Sequence, residues 1–446
     1  MSTPQRIIVV GAGLAGLTTA VRLVDAGHEV TVLESAGVVG GRTADWDEDG
    51  MQVETGLHRY LGFYTKLPRL LRHVGLKVSD VVVWRDEIAF RVADGGPSAL
   101  FSASLIRHPV RTAVRALKHR DFLPLRQRGA MVRMLAAGSV AYLLRPTKLD
   151  QVPIADYARG HGVSQQTVDR LIAPLTAGLF FVPPDKFSAH NLMGVVVPYW
   201  RSLIKTGVGA FSGGMTEVMS GPIAEYVRKK GGTVHVNTRV QSLVGDANGI
   251  TGVRVHDKVL EADQVVVATS LGPAKALIDS ALEGHEWFDD MRRMESTPSV
   301  CFQAETDVPS TAEDTATFTP GTEMGCFAEQ SRTTFSHLDG RISVIMATPK
   351  THADSTTEEL TETVITEARR VGVDLRGHIR RARKVGISDD FYSLECGNDP
   401  LRPAQHTPIP GLTLAGDYTQ QKYLATMEGA VQSGELAARA ILKEER

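Results

Sequence analysis

The sequence predicts an α/β protein with two domains, one of them discontinuous. The first is built on a parallel sheet, and the second is an α+β domain with a mixed sheet and a helical cover. Three observations predict this arrangement. Residues 6–34 are predicted to form a strand, a glycine turn, a helix and a second strand. A long, apolar and helical stretch follows later in the chain. Short strands like those of the first domain return after residue 210 and again near residue 412.

The opening strand, RIIVV, is followed directly by GAGLAGL, in which Gly11, Gly13 and Gly16 form a G-x-G-x-x-G pattern. Between a strand and a helix, this pattern is the dinucleotide-binding fingerprint of Rossmann-like domains. Gly11 allows a tight turn, Gly13 lets the backbone reach a pyrophosphate, and Gly16 lets helix and strand approach closely. The helix begins near Leu14 and Ala15, and its N-terminus presents N–H groups to the pyrophosphate.

The second predicted strand, HEVTVLES, ends at Glu34 and Ser35. A carboxylate at Glu34 can accept hydrogen bonds from both ribose hydroxyls of the adenosine, and it disfavours a 2′-phosphate. The sequence therefore predicts FAD or NAD rather than NADP. A glycine-rich turn without a nucleotide is the alternative, and the agreement of strand, turn, helix, strand and acid argues against it.

Two further glycine elements follow. Gly40, Gly41 and Arg42 can wrap the other side of a diphosphate, with the guanidinium as a planar anion partner; a surface turn with a solvated arginine is the alternative. In ETGLHRYLGFY, Gly56 and Leu57 would let the backbone approach a flat ring system, and His58 would make a polar contact at the reacting face. His58 is therefore a candidate catalytic residue, and a purely structural histidine is the alternative.

Composition indicates an ordinary globular protein. The chain has 446 residues, a net charge of −2, 42% hydrophobic residues and three cysteines, at 301, 326 and 396. So few cysteines, in an odd number, argue against a disulfide framework and for a reducing compartment. The first strand starts too early to leave room for a signal peptide. We therefore expect a cytoplasmic protein, with a peripheral position on the inner face of the membrane as a further option.

Charge is unevenly distributed, because residues 101–150 hold ten Lys or Arg and two acids. Within residues 105–120, Arg111, Arg115 and Lys118 fall on one stripe of a predicted helix that starts at Pro109, beside an apolar stripe. This pattern is typical of a helix on an anionic membrane surface. A solvated charged face is an equal alternative, and nucleic acid is disfavoured because no aromatic residue interleaves the cations.

The domain boundaries are placed where the predicted pattern of strands and helices changes along the sequence. Residues 1–75, 210–285 and 400–446 are assigned to the dinucleotide-binding domain. Residues 76–209 and 286–399 are assigned to the substrate-binding domain, in which 100–150 forms the membrane-facing segment and 150–210 the wall of an apolar pocket. Residues 150–210 show no metal-ligand spacing, no serine-histidine-acid order and no paired carboxylate motif.

The fingerprint with Glu34, the Gly40-Gly41-Arg42 loop and the C-terminal LAGDY…MEGAVQSG together resemble the flavin amine oxidase and carotenoid desaturase superfamily. Within it, ETGLHRYLGFY, residues 152–184 and AGDYTQQKYLATMEGAVQSG are most similar to phytoene and zeta-carotene desaturases of the plant and cyanobacterial type. The resemblance covers most of the chain and is strongest at its two ends.

This resemblance implies noncovalent FAD held across the discontinuous domain. Gly416 and Asp417 would contact the ribityl or pyrophosphate end, the backbone at Val240 would meet the adenine, and Met427 would direct N–H groups at the flavin N1–C2=O edge. The residues implied to bind the cofactor are Gly11, Gly13, Leu14, Ala15, Gly16, Glu34, Ser35, Gly40, Gly41, Arg42, Gly56, Leu57, His58, Val240, Gly416, Asp417 and Met427.

One departure bears on the substrate. In amine oxidases of this superfamily an aromatic residue precedes Met-Glu-Gly and forms half of a cage around the amine, whereas Thr426 stands there in this chain. Thr426 would then be a flavin-facing part of the substrate wall. The resemblance therefore favours dehydrogenation of a long apolar isoprenoid, such as a carotenoid precursor, by hydride transfer to flavin N5, with a quinone or oxygen as electron acceptor.

Other functions stay open at this point. A flavin amine oxidase would hold FAD with the same set of residues. A hydroxysqualene-type dehydroxylase or a redox-neutral isomerase is compatible with the same site, because the way FAD is held does not fix the direction of electron flow. A prenyl carrier of the GDP-dissociation-inhibitor type shares the architecture without redox chemistry, and Glu34 and Asp417 argue against it.

Overall fold

The computed structural model describes residues 4–85, 87–102, 119–201 and 207–444. Its strands are β1 (Arg6–Val10), β2 (Glu29–Leu33), β3 (Asp45–Glu48), β4 (Met51–Glu54), β5 (Tyr60–Leu61), β6 (Val82–Arg85), β7 (Glu87–Arg91), β8 (Ser98–Ser102), β9 (Val208–Phe211), β10 (Thr233–His235), β11 (Val240–Asp246), β12 (Gly249–Val255), β13 (Lys258–Glu261), β14 (Gln264–Val267), β15 (Ser296–Thr306), β16 (Ala316–Phe318), β17 (Met324–Glu329), β18 (Gly340–Met346), β19 (Ile379–Tyr392) and β20 (Leu412–Leu414).

The α-helices in these ranges are α1 (Leu14–Asp25), α2 (Lys66–His73), α3 (Val78–Val81), α4 (Leu125–Leu144), α5 (Pro146–Asp150), α6 (Ile154–Gly160), α7 (Gln165–Thr167), α8 (Ala173–Phe180), α9 (Ala189–Arg201), α10 (Gly221–Lys229), α11 (Leu271–Leu282), α12 (Asp289–Arg293), α13 (Pro349–His352), α14 (Thr357–Arg370) and α15 (Met427–Glu444). Single π-helical turns precede α8 and α10. The predicted basic helix with Arg111, Arg115 and Lys118 lies outside the described residues.

A five-stranded parallel sheet in the order β10-β2-β1-β14-β20 forms the centre of the first half of the molecule. Its strands come from three separate stretches of the chain. Ile7 and Val9 of β1 pack in one core cluster with α1 and α15, while Ile8 and Val10 pack in another with β14 and α11. Both faces of β1 are therefore covered, which explains its unbroken apolar sequence.

The second half is built on a seven-stranded mixed sheet in the order β19-β15-β18-β17-β16-β7-β8. Its pairs are antiparallel except for β7 with β16. Helix α14 packs on this sheet through Leu360, Val364 and Ala368. The predicted α/β class, with a parallel sheet and a separate mixed sheet under helical cover, is confirmed.

Helix α1 follows β1 so closely that only glycine fits at its first turn. A Cβ atom on Gly16 would lie 2.0 Å from the carbonyl oxygen of Gly11, which itself has a φ of +104°. Gly16 thus sets the distance between the helix and the turn that precedes it.

We predict that Gly16→Ala lowers the free energy of unfolding by about 2 kcal/mol or more, because the backbone at Gly11 must move to admit the methyl group. Gly129→Ala is the matched control, since it lies on α4 with no atom within 4 Å of its added Cβ; alanine there should be neutral or stabilising. Urea unfolding of both variants, with and without added FAD, measures the difference. Equal stability of the two variants would contradict the steric argument.

Candidate functional site

A single cavity of about 800 Å³ runs from the carboxyl ends of the parallel strands to the mixed sheet. The carboxyl edge of a parallel sheet is where dinucleotides bind in doubly wound folds. One end of the cavity is lined by the glycine loops and by Glu34, Thr238 and Asp417. The other end is lined by apolar side chains of the mixed sheet and of the helical segment near residue 180. The volume falls within the range of cofactor and ligand pockets.

The two glycine loops touch each other at the start of α1. Gly13 is the N-cap of α1 and pairs with Gly40 through an isolated bridge. The Gly40 N–H donates to the carbonyl of Ala12 at 2.9 Å, and a Cβ on Gly41 would lie 3.2 Å from the Gly13 Cα. As a glycine, Gly13 has no side chain that could cap α1. The helix N-terminus is therefore open to an anion such as a pyrophosphate.

Glu34 is buried and holds the first glycine turn in place. Its Oε2 accepts a hydrogen bond from the Ala12 N–H at 2.8 Å, and its Oε1 accepts from the Ala36 N–H at 2.8 Å and the Ser35 hydroxyl at 3.2 Å. A carboxylate offers about four acceptor positions, so one remains for a ribose hydroxyl, and not the two that the sequence predicted. The carboxylate thus shapes the turn as well as facing the cavity.

Arg42 and Asp417 form an ion pair that the sequence analysis did not predict. The guanidinium donates from Nη1 to Oδ2 at 2.9 Å and from Nη2 to Oδ1 at 2.5 Å, and it lies 5.0 Å from the centre of the Phe391 ring. Both charged residues line the cavity. The pair brings an N-terminal cation and a C-terminal carboxylate together beside the helix N-terminus, where a diphosphate would be bound.

His58 lines the middle of the cavity on the loop that follows β4. Its Nδ1 lies 2.8 Å from the Gly56 carbonyl, so Nδ1 donates and Nε2 keeps a lone pair. Burial is the main cause that lowers the pKa of His58 to about 4, and the nearby Arg42 cation lowers it further. The ring is therefore neutral at ordinary pH and can accept a proton or a hydrogen bond at Nε2.

The start of α15 meets the cavity at Thr426 and Met427. The Thr426 hydroxyl accepts a hydrogen bond from the Gly429 N–H at 3.1 Å and donates to the Tyr423 carbonyl at 2.6 Å, so Thr426 is the helix cap. Glu428, which sequence reasoning missed, points away and caps α2. It accepts from the N–H groups of residues 65, 66 and 67 at 2.6 to 2.9 Å.

Seventeen of the residues predicted from the sequence lie in the wall of this one cavity. They are Gly11, Gly13, Leu14, Ala15, Glu34, Ser35, Gly40, Gly41, Arg42, Gly56, Leu57, His58, Val240, Gly416, Asp417, Thr426 and Met427. Gly16 lies behind the cavity, in the contact of α1 with its turn. Sequence reasoning missed Arg239 and Arg59; Arg59 carries a signal, as a lone cation between apolar residues in LHRYLGF.

These residues fit FAD. The diphosphate of an adenine dinucleotide fits against the glycine loops, where a Cβ atom would take its space, and against the N-terminus of α1. The ribose fits beside the carboxylate of Glu34. Across the described ranges, no group of three or more His, Cys, Asp and Glu side chains is placed to hold a metal ion. The fold and the site define an FAD-dependent oxidoreductase.

Comparison with known proteins gives the family. The model of the flavin containing amine oxidoreductase family matches residues 14–442, and the chain belongs to that family. It is 27% identical to a 15-cis-phytoene desaturase of Glycine max over 99% of this chain and 80% of that protein. It is 26% identical to the 15-cis-phytoene desaturase of Synechococcus elongatus over 98% of this chain and 96% of that protein. The resemblance noted in the sequence is confirmed.

The fold is also that of a solved putrescine oxidase. The two structures superpose with a TM-score of 0.76 at 16% identity, over 99% of this chain and 100% of the other. At this identity the likeness concerns the fold alone.

We predict that protonation of His58 couples to stability. In the unfolded chain His58 has its ordinary pKa of 6.5, whereas in the folded protein its pKa is about 4. Between these pH values the unfolded state binds a proton that the folded state does not. Stability present near neutral pH is therefore lost as the pH falls between these values. His58→Asn keeps a donor for Gly56 without this titration. Between pH 7 and 5 the native protein should lose about 2 kcal/mol more of unfolding free energy in urea than the variant. Equal losses would show that His58 is not desolvated.

Proposed function

We propose that this protein dehydrogenates a long apolar isoprenoid, such as a carotenoid precursor. We also propose that residues 105–120 and α4 bind a membrane surface. The observation that carries the proposal is the continuity of a dinucleotide cradle with an apolar chamber in one cavity. The chamber is lined by Leu57, Leu61, Leu179, Phe181, Ala316, Phe318, Ile345, Ile387 and Phe391. Similarity to phytoene desaturases over nearly the whole chain supports the same substrate class.

The walls of the chamber suit a reaction in which the protein mainly has to hold the substrate in position against the flavin ring. When bound, FAD accepts a hydride equivalent from a C–H bond held against its ring. The aliphatic and aromatic walls would exclude water and hold a polyene in contact range. His58, neutral and with a lone pair on Nε2, would take the proton that leaves the neighbouring carbon. The N-terminus of α15 faces the same space at Met427, where its dipole favours negative charge.

For an amine oxidase, this chain lacks one part of the substrate site, the aromatic residue that forms half of the cage around the amine. Thr426 occupies the position of a cage aromatic, and its hydroxyl is engaged in capping α15. An amine would also bring a charge into a chamber whose walls are mainly apolar, which is costly without a carboxylate partner. The proposal therefore ranks the isoprenoid above the amine, and the same experiment tests both.

Helix α4 offers an apolar face to solvent. Leu125, Val132, Val140, Leu143 and Leu144 are more than half exposed, with Leu144 the most exposed at 73%. Arg126 and Arg133 lie on the same exposed side of α4, and Arg145 and Lys148 follow its C-terminal end. Among the described residues, no helix has both the length and the apolar composition to cross a bilayer. An apolar stripe with flanking cations fits a surface of anionic lipid, which an extracted isoprenoid would leave to reach the chamber.

We predict that anaerobic mixing of the yellow holoprotein with phytoene or another long polyene bleaches the oxidised flavin band, because the polyene supplies the hydride equivalent. Amines serve as the second arm. Bleaching by amines alone would reverse the ranking, and oxygen or a quinone should restore the band after polyene reduction. Protein that never binds FAD would favour a carrier function, and turnover without bleaching would favour an isomerase.

We predict that Leu143→Glu/Leu144→Glu lowers binding to anionic liposomes at least tenfold, because each exposed leucine contributes about 1.5 kcal/mol or more when buried in lipid. Flotation measures the bound fraction. Val259→Glu/Val308→Glu is the matched control, with the same added charge on exposed apolar residues elsewhere. Equal flotation of both double variants and the native protein would remove α4 from the proposal, and reversal of Arg111, Arg115 and Lys118 to Glu tests the basic segment separately.

A further inference from the structure

One cation lies in the wall of the chamber. Arg59 follows His58 directly and lines the cavity, yet only 10% of its side chain is exposed. It pairs with Asp314, whose side chain is fully buried. The guanidinium donates from Nη1 to Oδ2 at 3.0 Å and from Nη2 to Oδ1. A buried pair of this kind costs much desolvation energy, so an apolar chamber for a pure hydrocarbon would be better built without it.

The pair leaves donor capacity unused on the arginine. A guanidinium has five N–H donors, and Asp314 takes two of them. The Nε atom of Arg59 is buried and has no hydrogen-bond partner among residues 4–85, 87–102, 119–201 and 207–444. Asp314 is better satisfied, because it also accepts from the Thr333 hydroxyl. Nε has no surface open to the cavity, but each Nη nitrogen keeps one further N–H beyond its bond to Asp314. Arg59 lines the cavity, so a ligand acceptor can meet one of these Nη donors there.

The second carboxyl near Arg59 is Glu54, which makes no hydrogen bond with it and instead accepts from the Gln330 side-chain amide at 2.6 Å. Burial is the main cause that raises the pKa of Glu54 to about 7. Cys326 is a nearby thiol, and burial raises its pKa to about 12, so it stays neutral. Ala316, Phe318 and Ile345 line the same part of the cavity and have no side-chain acceptor. The donor capacity of Arg59 is therefore left for whatever enters the chamber.

We propose that Arg59, held by Asp314, is an oxygen-recognition subsite, and that the ligand of this chamber is an isoprenoid carrying a hydroxyl or carbonyl oxygen rather than a pure hydrocarbon. This inference rests on the proposed function, because it takes the chamber to be an isoprenoid site. Arg59 is a specificity-determining residue that contacts the ligand, and Asp314 is the positioning residue behind it.

The charge of the pair selects a neutral oxygen. Arg59 and Asp314 neutralise each other, so a carboxylate or phosphate on the ligand would add an unbalanced charge to a buried, apolar site. A hydroxyl or a carbonyl accepts a hydrogen bond without that cost. A hydrogen bond from a charged donor to such an oxygen corresponds to roughly a tenfold to hundredfold gain in affinity over the same chain without the oxygen.

The test compares two probes that differ by one oxygen. Geranylgeraniol and the hydrocarbon that lacks its hydroxyl are titrated into the FAD-loaded protein in the same detergent, and binding is followed by perturbation of the flavin spectrum without turnover. The native protein should bind the alcohol at least tenfold more tightly. Arg59→Met/Asp314→Asn, which removes the donor without leaving a buried charge, should lose this preference by weakening the alcohol alone.

The control is Arg292→Met/Asp279→Asn, which breaks another Arg–Asp pair outside the cavity wall. It should keep the native preference. If the native protein binds both probes equally, or if the Arg59 variant weakens both to the same degree with normal flavin content, the pair is a structural cross-link and the inference is wrong. If neither probe binds at all, the proposed isoprenoid function fails together with it.

Discussion

The close approach of backbones around the start of α1 is the constraint on which the site depends. The carbonyl of Gly11 lies where a side chain on Gly16 would be, Gly41 touches Gly13, and a Cβ on Gly434 of α15 would lie 2.3 Å from the carbonyl of Ala15. Glycine is needed at each contact because no side chain fits between the two backbones. These contacts bring three distant parts of the sequence to the N-terminus of one helix, and that helix N-terminus forms one end of the cavity.

Buried polar contacts then join the two halves around the cavity. Within the first half, Arg42 meets Asp417, which joins the second glycine loop to the turn before α15. The side-chain amide of Gln303 both accepts from the backbone N–H and donates to the backbone carbonyl of Glu54, as a paired strand would, and so links β15 of the mixed sheet to β4. The loop that carries His58 starts at that junction. The position of the loop is therefore set by both halves at once.

Local signals predicted the parts of the site that depend on local geometry. The glycine fingerprint, the acid at Glu34 and the turn before α15 are each recognisable within a few residues, and the structure brings them to one cavity. The pairing of Arg59 with Asp314 spans 255 residues, and that of Arg42 with Asp417 spans 375. No periodicity or spacing in the sequence encodes such a pair. Glu428 carried a weak signal, an acid in the first turn of a helix, but its target is a different helix.

Burial acts on the titratable groups of the chamber in one direction, toward the uncharged form. It lowers the pKa of His58 to about 4, raises that of Cys326 to about 12 and raises that of Tyr64 further still. None of these groups is charged near neutral pH, so none of them can balance a charged substrate. Two ion pairs lie beside this cavity, Arg42–Asp417 and Arg59–Asp314, and each is neutral in sum. Glu34 and Arg239 line the cavity as well. A chamber of this kind stabilises a neutral, apolar molecule, and its selectivity must come from shape and from single hydrogen bonds rather than from net charge.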